Sequence, residues 1–160
     1  MRRTERERLD PAFMHTVLRD AGEIYLALNA SDPAGAPYVL PVNHVFHEGC
    51  IYFHCATEGR KLDLLRANPR IGFSTAIDIA VDGTTTRYRC VCGTGVAERV
   101  IDDAEKNRAL RAIAARFKAP CTFPVPTEKL ATIDIVRIRI ESLTGKYSRP
   151  GADRKPLLPD

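Results

Sequence analysis

Residues Tyr38 to Arg70, YVLPVNHVFHEGCIYFHCATEGRKLDLLRANPR, hold a strand, a tight turn, a second strand and a helix in immediate succession. Tyr38 to Phe46 is the first strand, HEGC the turn, and Ile51 to Cys55 the second strand, with Ile51 and Phe53 on one face and Tyr52 and His54 on the other. Gly59 opens the helix and Thr57 is placed to cap it; Leu62 and Leu65 face inward, and Asn68 and Pro69 stop it. Arg60 and Lys61 fall in its first turn. A helix start presents unpaired backbone N–H groups, and two cations beside them make a place for an anionic phosphate. Pro41 cannot donate a ladder hydrogen bond, so it implies an edge, a bulge, or a planar ligand lying alongside.

The rest of the chain supplies more strands. Asp10 caps a first helix with Pro11 at its first position, and Met14, Val17, Leu18 and Ala21 form its apolar stripe as far as Gly22. Ile24 to Leu28 is a strand that the turn cluster SDPAGAP joins to Tyr38. Ile71 to Val81 and Thr84 to Val100 read as a long hairpin around VDG, with Gly93 and Gly95 marking a bulge or bend. Asp102 or Asp103 caps a helix with Leu110, Ile113, Ala114 and Phe117 on its core face. APCTFPVP is a connector, and Ile133 to Ile140 closes the sheet. Long bent strands with short turns predict a mainly β fold: six antiparallel strands in a small barrel with two to three outer helices.

A chain of 160 residues makes one domain, here expected over residues 1–160, with 1–9 and 149–160 as loosely held ends. Its apolar runs are too short to span a membrane. The charged MRRTERERL has no apolar core behind it, so no secretory signal is expected and the location is expected to be cytoplasmic. The five cysteines are odd in number and mostly within strands, which suits buried thiols in a reducing compartment. Cys90 and Cys92 share a face of one strand but lack a second pair at zinc spacing, so no metal is expected. The net charge of +4 is interleaved with acids rather than gathered into a stripe, so no nucleic-acid partner is expected. No Ser-His-Asp order, shared carboxylate pair or P-loop supports a hydrolase or kinase.

PVNHVFHEGCIYFHCATEGRKLDLLRANPRIGF resembles the signature of the FMN-binding split-barrel superfamily named for pyridoxamine 5'-phosphate oxidase, and especially the branch that includes the 5-nitroimidazole reductases. YRCVCGTGVAERV followed by EKNRALRAI is similar to the same branch. The resemblance implies a split β-barrel with bound FMN at the interface of a homodimer. It implies that Arg60 and Lys61 bind the FMN phosphate, and that His54 and Cys55 line the ribityl chain and phosphate; Thr57 and Gly59, between them, are also expected to be cofactor-binding. The segment Val39, Leu40, Pro41, Val42, Asn43 and His44 would run along the isoalloxazine, which Arg89, Cys90 or Lys146 would approach from the same or the partner chain. The true oxidase has cations at both ends of the strand where this chain has Val39 and His44, and an active-site Trp where this chain has none, so pyridoxamine phosphate oxidation is not implied.

Each of these residues also has a plainer reading. Arg60 and Lys61 can be a solvated helix face, and His54 a half-buried histidine at a strand end. His44 can be a packing residue, or the catalytic donor to the flavin or to a substrate nitro or carbonyl group. The reading drawn is an FMN-dependent oxidoreductase that passes electrons from reduced flavin to a small acceptor such as a nitroaromatic. Its alternatives are a barrel that stores flavin without turnover, and a haem-binding relative with His44, His47 or His54 as axial ligand.

Overall fold

The computed structural model describes residues 4–30 and 35–148. A 3-10 turn at Thr4–Arg6 leads into the short strand β1 (Glu7–Arg8) and helix α1 (Pro11–Asp20). Strands β2 (Glu23–Leu28), β3 (Tyr38–Asn43), β4 (Val45–His47) and β5 (Cys50–Cys55) follow, then helix α2 (Arg60–Ala67). The long hairpin is β6 (Arg70–Asp82) and β7 (Thr85–Arg99), and helices α3 (Asp103–Phe117) and α4 (Thr127–Leu130) precede β8 (Asp134–Ser148). Among the described residues no helix is long and apolar enough to cross a membrane. Most of the SDPAGAP turn, residues 1–3 and the tail from Arg149 lie outside the described residues.

The strands form one antiparallel sheet in the order β3-β2-β6-β7-β8-β5-β4, with β1 beside β8. Its two edge strands, β3 and β4, are separated in the chain by His44 alone. Flat, such edges would stand about 29 Å apart at ~4.8 Å per strand. Two peptide links reach only about 7 Å. The sheet is therefore curled until its edges meet at His44, which is the split barrel that the sequence predicts. The expected single strand from Tyr38 to Phe46 is two strands for the same reason: at His44 the chain leaves one edge and joins the other.

Sequence patterning accounts for most elements. Asp10 accepts hydrogen bonds from the backbone N–H groups of Ala12 and Phe13, and Asp102 from that of Glu105, so both helices start at side-chain caps. Met14, Val17 and Leu18 of α1 join Ile24, Leu26, Ile51, Phe53, Val91 and Ile138 in the barrel core. On the outside, α3 packs Ala109 against Tyr52, Val100 and Ile135. Tyr52 is thus buried on the second face of β5, not solvated. Its hydroxyl donates to Glu105, and Arg137 bridges Glu105 at 2.9 Å and Glu98 at 2.8 Å, tying α3 to β7 and β8.

Two expectations at the ends are corrected. Residues 4–8 do not fray: Glu7 and Arg8 pair with Lys146 and Gly145, and Arg6 is only 9% exposed, reaching the Tyr88 hydroxyl. The last strand runs on to Ser148 instead of stopping near Ile140, because its polar second half pairs with the outer half of β7. The bend expected at Gly93 and Gly95 is present. The β7–β8 register slips between Thr94 and Gly95, and a Cβ on Gly95 would meet the Arg139 carbonyl oxygen at 2.5 Å.

Phe53 is fully buried at the centre of this core. Phe53→Ala is expected to cost about 3 to 5 kcal/mol through the cavity it opens. Urea unfolding of the two proteins measures it, and an unchanged midpoint would refute the packing described.

Candidate functional site

The start of α2 is open. Gly59 has φ 120° and ψ 165°, a conformation that side chains avoid, and it forms the helix boundary without any side-chain hydrogen bond. Thr57 does not cap the helix, contrary to the sequence expectation. The Gly59 carbonyl accepts from the N–H groups of Leu62 and Asp63, which leaves the amides of Arg60 and Lys61 without a backbone partner among the described residues.

Two cations stand there. The Arg60 guanidinium lies 4.7 Å from the Tyr38 ring centroid, and the Lys61 ammonium 5.2 Å from that of Phe53. Neither has an acidic partner among the described residues, whereas the next charged side chains on the helix, Asp63 and Arg66, pair with each other at 2.7 Å. Rings hold Arg60 and Lys61 in place without neutralising them. Cys55 is half-buried nearby; burial pushes its thiol up, and Lys61 acts against that shift. His54 projects to the exposed side of β5, and Thr57 is half-buried in the link to Gly59.

Sequence reasoning missed an ion pair beside this point. Asp134, opposite Cys55 in the β5–β8 ladder, is 1% exposed and pairs with Arg99 at 2.7 Å, while its second carboxylate oxygen is buried without a partner. Nothing local marks Asp134 as buried, because the covering comes from distant elements.

Strand β3 is an edge, which is where a proline is tolerated, and it presents Val39, Pro41 and Asn43 outward while Leu40 and Val42 lean on the core. Val39 is 59% exposed, an uncovered apolar side chain, and Tyr25, opposite Pro41, is 48% exposed. His44 is different. It is fully buried, with Nε2 at 2.8 Å from the Leu18 carbonyl oxygen and Nδ1 without a partner, and burial lowers its pKa. The expectation of His44 as a catalytic donor is not met by an exposed ring: in this chain the imidazole is sealed in the seam and its bond to Leu18 ties α1 to the closure.

Arg89, Cys90 and Lys146 form a second group. Cys90 faces Lys146 across the β7–β8 ladder, and Arg89 donates to Asp78 at 2.5 Å, on a β6 bulge where Asp78 has φ 54°. Arg89 borders a cleft of about 750 Å³ shared with Arg8, Phe13, Tyr88 and Tyr147. The α2 start follows β5, whose Cys55 pairs with Asp134 at the beginning of β8, whereas this group sits at Lys146 near the end of β8. Asp134 beside Cys55 and Lys146 beside Cys90 are twelve residues apart on β8, up to about 40 Å along a straight strand.

The profile of the pyridoxamine 5'-phosphate oxidase family matches residues 10–147. The chain belongs to that family. Solved structures of family-like barrels superpose closely. A flavocytochrome, Anf3 from Azotobacter vinelandii, gives a TM-score of 0.78 at 20% identity over 98% of this chain and 75% of its own. A FAD and haem binding protein from Mycobacterium smegmatis gives 0.77 at 18% identity, covering 94% of this chain and 77% of that one. A protein named for 5-nitroimidazole antibiotic resistance, from Bacteroides thetaiotaomicron, gives 0.75 at 20% identity over 88% and 85%. At these identities the likeness is one of fold. No curated protein matches the sequence.

Within this family member, the seam histidine makes stability depend on pH. His44 is buried neutral, with its folded pKa below the ordinary 6.5, so the unfolded chain takes up a proton that the folded one resists. Its contribution is complete above pH 6.5 and is lost as the pH falls below it. The urea midpoint is expected to drop between pH 7.5 and 5.5, and His44→Gln, which keeps a donor for Leu18 but does not titrate, is expected to flatten that drop. An equal drop in the variant would show that His44 is not its source.

Proposed function

We propose that this family member is a flavin-binding protein that holds FMN at the start of α2, as a homodimer, and serves as an oxidoreductase for a small acceptor such as a nitroaromatic. The observation that carries the reading is the pair Arg60 and Lys61. Among the described residues neither has an acidic partner, both lie against rings, and both stand at a glycine-opened helix start that has no side-chain cap. Arg offers a fork of donors to phosphate oxygens, Lys a point charge, and the first-turn amides a fixed positive field. The similar structures named as a flavocytochrome and as a FAD and haem binding protein support a flavin as the ligand class.

Bound flavin supplies hydride or electron transfer, and the protein supplies position and electrostatics. Edge strand β3 offers the planar ring an exposed rim of apolar Val39 and Pro41 with the Asn43 amide beyond them. The register supports a homodimer: Asp134, beside Cys55 and the approach to α2, begins β8 and Lys146, beside the Arg89 group, is near its end, so a second copy could bring one of these to a ligand held at the other. Arg89, with its cleft, then faces the acceptor and stabilises the negative charge it gains. Of the histidines, His54 is exposed and remains open to a ribityl hydroxyl. For the haem alternative, His44 is excluded as an axial ligand because its Nε2 is bonded to Leu18 and its ring is sealed.

Titration of the purified protein with FMN and with FAD, followed by visible absorption before and after dithionite, tests the proposal. The flavin bands are expected to shift on binding and to bleach on reduction. Arg60→Ala with Lys61→Ala is expected to weaken binding by about 2 to 5 kcal/mol while the fold stays intact. Undiminished affinity in the double variant would remove the phosphate assignment. Bleached flavin that is reoxidised by added nitroaromatic under anaerobic conditions marks turnover, and its failure to reoxidise would leave a storage role.

A further inference from the structure

The outer face of β6, β7 and β8 brings a hydroxyl, two thiols and an ammonium to one point. Cys90 and Cys92 are two residues apart on β7, so both thiols project to one side of the sheet, with Cys92 exposed and Cys90 half-buried. Directly opposite Cys92 on β6 is Ser74, whose Oγ lies 3.3 Å from the Cys92 sulfur. Directly opposite Cys90 on β8 is Lys146, whose ammonium acts on both sulfurs. The Ser74 hydroxyl also has the Val91 carbonyl oxygen within reach at 3.0 Å. A hydroxyl hydrogen turns to the stronger acceptor, so ionisation of Cys92 recruits it to sulfur.

These neighbours all favour a thiolate at Cys92. The neighbouring Cys90 thiol lowers its pKa most; burial opposes it, and Ser74 and Lys146 add to the lowering. The other strand cysteines differ, since burial pushes both Cys50 and Cys55 up. A partly exposed thiol in positive surroundings is the environment in which cysteine is a nucleophile.

We propose that Cys92 is a reactive thiol and a site of reversible covalent modification by small disulfides. The Cys92 thiolate attacks one sulfur of the disulfide. A new S–S bond joins Cys92 to one half, the original S–S bond breaks, and the other half leaves as a thiolate that takes a proton from water. The small disulfide is the oxidant, so no other redox partner enters. Cys90 holds the thiolate and does not expel the adduct. Same-face neighbours on a strand are about 6.6 Å apart with parallel Cβ directions, whereas a disulfide needs Cβ atoms about 3.5 to 4.5 Å apart. The mixed disulfide therefore persists until an outside thiol reverses it. In one chain Cys92 lies three strands, about 14 Å, from edge strand β3, and the proposal does not rest on flavin binding.

The test uses the full-length protein without added flavin, treated with 5,5'-dithiobis(2-nitrobenzoate) and mapped by peptide mass spectrometry. Exposed Cys121, in the connector before α4, is the internal comparator. At pH 6.5 Cys92 is expected to react at least about tenfold faster than Cys121, as the pH-dependent thiolate fraction dictates. Cys92→Ser is expected to abolish the fast phase. Ser74→Ala and Lys146→Gln are each expected to slow it several-fold and move its pH midpoint upward, with Cys121 unchanged. A Cys92 that reacts no faster than Cys121, or a fast phase that survives Cys92→Ser, would overturn the assignment. Because Arg60 and Lys61 play no part in this readout, its failure is separate from any failure of flavin binding.

Discussion

A sheet whose two edges are joined by one residue has no freedom to be flat. That constraint, set where Asn43 passes through His44 to Val45, curls seven strands into a barrel and decides where everything else can sit. The closure has a chemical fastener as well as a covalent one. The His44 imidazole, shut away from water, bonds the Leu18 carbonyl of α1, so the helix that fills the barrel's apolar interior is tied to the seam. A polar group in so dry a place is tolerated because that hydrogen bond offsets much of its desolvation cost.

The start of α2 depends on the same closure. Phe53, at the barrel centre, supports Lys61, and Tyr38, at the beginning of edge strand β3, supports Arg60. Both cations thus rest on rings that the barrel positions, not on acids that would neutralise them. The proposed phosphate site is a helix start opened by a glycine at positive φ, with two cations that have no acidic partner among the described residues. The cysteines of β7 show the contrasting use of the outer face, where strand pairing from both sides brings a hydroxyl and an ammonium to a thiol.

Much of this was legible in the residues. Asp10, Asp102, Gly59 and Asn68 bound their helices as the capping chemistry predicts, and the turn HEGC forms between β4 and β5. Local signals were enough there because each involves groups only a few residues apart. Two local readings failed for nonlocal reasons. Thr57 had the right chemistry to cap α2, but the chain turns at Gly59 instead. Residues 4–8, charged and unremarkable in sequence, are ordered by the Tyr88 hydroxyl and by a vacant position beside β8.

Strand and helix identities, the family, and the cationic helix start are properties of short stretches, where propensity, capping and spacing act over one or two turns. The role of His44 was not such a property. The same imidazole serves as an exposed donor or a sealed fastener according to whether strands far apart in the chain close around it, and burial is a sum over all of them. The pairing of Asp134 with Arg99, the grouping of Ser74 and Lys146 around Cys92, and the distance between the α2 start and Arg89 were likewise settled by strand register. Register is fixed by the fit of whole faces, and no window of sequence contains it.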